Sequence, residues 1–87
     1  MDGNIRIYLG DTINFNLSNV STMHPFYVRQ SPGGADVNNP TIPNQGATGT
    51  VTVSWTPNTA GTYYYQCSNH ASMLGVIIVD DYSSPPP

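Results

Sequence analysis

The feature that most limits what this chain can become is a two-residue rhythm of apolar and polar side chains, broken again and again by turn residues. Ile5 and Ile7 alternate with Asn4, Arg6 and Tyr8. After Gly10-Asp11, the segment Thr12–Leu17 puts Ile13, Phe15 and Leu17 on one side, with Asn14 and Asn16 on the other. Met23–Arg29 places His24, Phe26 and Val28 in one phase, and Thr50–Trp55 does the same for Val51, Val53 and Trp55. Thr62–Cys67 groups Tyr63, Tyr65 and Cys67, and Val76–Val79 is a short apolar run. Successive side chains of a strand leave opposite faces, so each run predicts a strand that buries one face. No stretch repeats with a helical period. Six or seven short strands separated by turns predict an all-β chain folded as an antiparallel β-sandwich.

The connections read as follows. Asn19–Thr22 is a polar link and Thr56–Gly61 a turn. Gln30–Thr50 has no sustained period and carries Pro32-Gly33-Gly34, Asn38-Asn39-Pro40, Pro43 and Gly46, which predicts a long irregular connection. Pro25 has no amide hydrogen for a ladder and should lie at a strand end or edge. Residues 1–82 read as a single domain, and 83–87 as a Pro-rich tail or the start of a linker. Met1-Asp2-Gly3 shows no signal-peptide pattern. This leaves a cytosolic chain, a mature secreted form or a piece of something larger, with the tail favouring the last. No apolar run reaches membrane-spanning length, so no membrane span is expected. Asn16-Leu17-Ser18 and Asn19-Val20-Ser21 fit the glycosylation pattern.

Composition removes some functions. Arg6 and Arg29 stand against five aspartates, with no Lys or Glu, for a net charge of -3. No basic patch can form to neutralise phosphates, so a nucleic-acid partner is not expected. A chain of 87 residues buries a modest core and often leans on a metal or a disulfide. Cys67 is the only cysteine and cannot close an internal disulfide.

The chemistry gathers after the Tyr63–Cys67 run. Cys67, His70 and Met73 follow one another at three-residue spacing. A lone inward cysteine is by default a small apolar filler, a histidine can be a satisfied core residue, and methionine fills gaps. On one tight loop, however, a thiolate, an imidazole and a thioether make a soft mixed ligand set. Electron-transfer copper takes two His and one Cys in a plane with a long axial Met, and His24 can supply the fourth group. Met1 is terminal, and Met23 should face away from its neighbour His24, so Met73 is the better axial candidate. Zinc competes, yet thioether suits it poorly. A dinuclear copper centre would need a second cysteine. Nucleophilic Cys/His catalysis would need a general base and an oxyanion hole that nothing else in the sequence indicates, so no enzyme is expected.

The run Gly61–Met73, followed by Gly75 and an apolar strand, resembles the C-terminal end of the cupredoxins, the plastocyanin-like blue copper proteins. Gly10-Asp11-Thr12-Ile13-Asn14-Phe15, and His24 some ten residues later, resemble the family's earlier half. The Cys-x-x-His-x-x-Met loop has the compact, amicyanin-like spacing. The resemblance implies a Greek-key sandwich, one type 1 copper ion held by His24, Cys67, His70 and Met73, and single-electron transfer between redox partners. It also implies a periplasmic, extracellular or lumenal monomer, with a redox protein docking near His70, where Ala71, Leu74 and Pro25 offer a small apolar patch. One departure matters: the residue after the first His commonly donates its N–H to the Cys sulfur, and here it is Pro25. At most one of the two usual hydrogen bonds is then expected at the Cys67 sulfur, from Asn69. The other reading is a cupredoxin-like structural or interaction module of a larger surface, secreted or virion protein with incidental copper binding. A third is copper sequestration or delivery.

Overall fold

The computed structural model describes residues 4–38, 40–67 and 74–81, Cys67 by its backbone. Among the described residues there are six strands and no helix: β1 (Asn4–Tyr8), β2 (Ile13–Val20), β3 (Phe26–Arg29), β4 (Gly49–Trp55), β5 (Gly61–Cys67) and β6 (Leu74–Asp80). They form two open sheets, one in the order β1-β6-β5-β3 and one of β2 and β4. The expected alternation is observed where it was clearest: Val28, Val53 and Ile77 are fully buried, with Phe26, Trp55 and Val79 nearly so. Burial of a side chain of this kind contributes roughly 1.5–3 kcal/mol.

The inner faces of the two sheets meet through aromatic rings. Phe15 of β2 lies 4.9 Å from Phe26 of β3 and 5.6 Å from Tyr65 of β5, centroid to centroid. Trp55 of β4 meets Tyr63 of β5 edge-on at 4.9 Å. Face-to-face contact between two open sheets is compatible with a β-sandwich. The outer face of the β2–β4 pair is a neutral polar ladder: Ser54 donates to Asn14 at 2.6 Å, Thr52 to Asn16 at 3.0 Å, and the Thr12 and Thr56 hydroxyls bond at 2.6 Å.

Three features depart from the sequence reading. First, the sheets are not wholly antiparallel, because β1 runs parallel to β6 in the register Ile5↔Ile77 and Ile7↔Val79. Parallel neighbours need a long crossover, and here the whole intervening chain provides it. Second, β2 does not stop at Leu17. It continues to Val20 through a bulge, in which the register moves three residues on β2 and two on β4, with Asn19 at φ 57°. Asn tolerates this left-handed backbone better than most residues. Third, β3 begins only at Phe26. His24 closes a turn by donating its N–H to the Ser21 carbonyl at 3.0 Å, and Pro25 sits at the strand end, as its missing N–H requires.

The long connection after β3 is not a loose loop. Val37 and Ile42 enter the core at 1% and 3% exposure. Phe26 donates to the Ala47 carbonyl at 2.9 Å and accepts from the Gly46 N–H at 2.8 Å. The Gln45 side chain then takes over the role of a neighbouring strand. Its Oε1 accepts the Val28 N–H at 2.9 Å and its Nε2 donates to the Val28 carbonyl at 2.8 Å. The edge of β3 is thereby satisfied without a further strand.

Gly75 and Tyr65 are register partners, and a Cβ built on Gly75 would overlap the Tyr65 ring. Gly here permits a close approach, since the ring lies across the backbone. Gly75→Ala is expected to cost about 1–3 kcal/mol, the usual range for overpacking a tight site. A urea midpoint equal to wild type would show that the ring moves aside freely.

Candidate metal centre

Antiparallel pairing of β3 with β5 runs in the register Phe26↔Cys67, Tyr27↔Gln66, Val28↔Tyr65. It brings the start of β3 against the end of β5. His24 stands in the turn just ahead of β3, two residues before Phe26, the register partner of Cys67. His24 is half-buried and its Nδ1 is shielded from solvent. Next to it, Met23 is 70% exposed, which makes it a poor inward ligand.

His70 and Met73 lie outside the described residues, as do Asn69, with its expected hydrogen bond to sulfur, and Ala71. The Cys67 side chain is outside them as well. Among the described residues no group of three His, Cys, Asp or Glu side chains converges on a metal position. That set holds one complete candidate ligand, His24, so the fit rests on the chemistry of the donors. A thiolate, two imidazoles and a thioether match the preference of copper for soft and imidazole ligands.

Two residues near this end were not singled out in the sequence. Gln66, next to Cys67, is buried at 8% exposure, and its Oε1 accepts the Gly33 N–H at 3.0 Å. It ties the first turn of the long connection to the end of β5. Gln45 secures β3 a few residues beyond His24. A polar residue within the aromatic β5 run was the available signal for Gln66; no periodicity marks Gln45, because it sits in irregular chain.

Both cations of the chain are committed to ion pairs. Arg6 pairs with Asp80 at 2.7 Å and Arg29 with Asp36 at 3.0 Å, with the Arg29 guanidinium also 3.9 Å above the Tyr27 ring. No helix among the described residues is long and apolar enough to cross a membrane. No protein-family model matches this chain, and no curated protein matches it.

Proposed function

We propose that this chain is a small cupredoxin-like protein that binds one copper ion through His24, Cys67, His70 and Met73 and passes single electrons between redox partners. The observation that supports the reading is the Phe26↔Cys67 register: the half-buried His24 stands two residues before that rung in the chain, and the Cys-x-x-His-x-x-Met run begins at it. Two sheets meeting face to face, with the first strand parallel to the last, also support a Greek-key arrangement of this kind.

A copper ion bound there would supply a one-electron couple. The chain's own part is to hold the donors. Phe26, Val28 and Tyr65 form a packed wall on the strands that lead to the candidate ligands. Close packing resists the rearrangement that each oxidation state would otherwise prefer. Hydrogen bonding around the thiolate tunes such a site, and Pro25 withholds one main-chain donor from it.

Titration of the purified protein with Cu(II), followed by visible absorption, tests the proposal. One equivalent should produce an intense thiolate-to-copper band that bleaches on adding ascorbate. No band, with Cys67 still reactive toward a thiol reagent, would overturn the reading. A β-sheet interaction module would then stand as the better account.

A further inference from the structure

We propose that Gln66 is a positioning residue for Cys67, taken as the thiolate ligand of the copper reading above, and that the connection between β3 and β4 acts through it. Gln66 is the one buried polar side chain among the described residues. A buried amide costs free energy unless it is bonded, and here its Oε1 accepts the Gly33 N–H at 3.0 Å. Gly33 stands at φ 66° in a turn closed by the Gly34 N–H on the Ser31 carbonyl at 2.8 Å. The same turn is held from β3, where Arg29 Nη1 donates to the Gly34 carbonyl at 2.8 Å.

Main-chain bonding directs this hold at Cys67. The Phe26 N–H goes to Ala47 and its carbonyl accepts from Gly46, while Val28 is bonded on the same edge by Gln45. Both residues thus turn their main-chain groups away from β5. Bonded and unbonded rungs alternate in an antiparallel pair, so Phe26↔Cys67 is an unbonded rung and Tyr27↔Gln66 a bonded one. Gln66 is therefore the last residue of β5 whose main chain bonds to β3 before the strand ends at Cys67. The connection meets this end at two points, through Gly33 on Gln66 and through Gly46 and Ala47 on Phe26. Between those ties Val37 and Ile42 root it in the core. Groups that fix a ligand from outside set its orientation toward the metal.

Hydrogen exchange of the full chain, with and without one equivalent of Cu(I), is the test. Coupling is reciprocal: if the Gln66–Gly33 bond favours the copper-binding position of Cys67, bound copper favours that bond. The Gly33 amide should exchange roughly fivefold or more slowly in the loaded protein. The Leu9 and Asp11 amides, bonded at the opposite end of β6, should keep their rates. Gln66→Met keeps the side-chain length, removes the amide oxygen, and should weaken Cu(I) binding roughly fivefold or more. Gln45→Met removes two bonds to Val28 and should leave the affinity unchanged, which separates positioning from a general loss of stability. Should Gln66→Met fail to fold, the wild-type exchange decides. Copper bound with Gly33 unaffected, or affinity lost equally in both variants, would overturn this proposal alone. A chain that binds no Cu(I) would overturn it together with the copper reading.

Discussion

Phe26→Ala is expected to lower the unfolding free energy by about 3–5 kcal/mol, a large share of the roughly 5–15 kcal/mol available to a domain. Phe26 is 1% exposed and its ring bridges the sheets, 4.9 Å from Phe15 and 6.3 Å from Tyr65. Its backbone bonds to Ala47 and Gly46 survive the substitution, so the loss belongs to the side chain and the cavity it leaves. Urea denaturation of the apo protein measures it. Phe26→Leu keeps most of the volume and should cost much less. A loss below about 1 kcal/mol for alanine would mean that the sheets do not pack against each other at this ring. Phe26 is also the Cα partner of Cys67, so the alanine variant should bind Cu(II) more weakly.

Cys67→Ser is expected to abolish the intense visible band on Cu(II) addition. Serine nearly preserves the shape of cysteine but offers a hard hydroxyl where a soft thiolate is needed. Met73→Leu should behave differently, keeping the band while changing the reduction potential, because the band would come from the thiolate and a thioether donor would only tune the bound copper. A band that persists in Cys67→Ser would remove the thiolate from the site and the electron-transfer proposal with it.

Strands with unbroken alternation were legible from the sequence. Val51, Val53 and Trp55 of β4 and Tyr63 and Tyr65 of β5 were read in the phase that the structure shows, since a half-buried strand writes its period directly into the chain. The end of β2 was not legible. Ser18 and Asn19 are polar and exposed, and the bulge at Asn19 breaks the period while pairing continues to Gly49. Val37 and Ile42 were missed as core for a related reason, because an irregular backbone has no period to betray its buried side chains. The parallel partnership of β1 and β6 lay beyond reach, since the pairing of distant strands is set by the whole packing and not by either strand. Of the candidate centre, His24 is half-buried and Met23 exposed as expected, but both lie in a turn ahead of β3 and not in the strand the alternation predicted. That the strand following His24 pairs with the strand ending in Cys67 came only with the register.

The Tyr65 ring resting on Gly75 sits one rung below the last pair of the hairpin, Gln66↔Leu74. Both ends of the candidate ligand segment are thus fixed by residues that do not belong to it. The described pairs Tyr65↔Gly75 and Gln66↔Leu74 close the β5–β6 ladder without any residue from 68 to 73. Substituting a segment of different length or donor content should leave the two sheets untouched, provided that Tyr65 and Gly75 stay in place. Donors in that stretch of sequence could then change, and the proposed copper binding with them, without change to the two sheets.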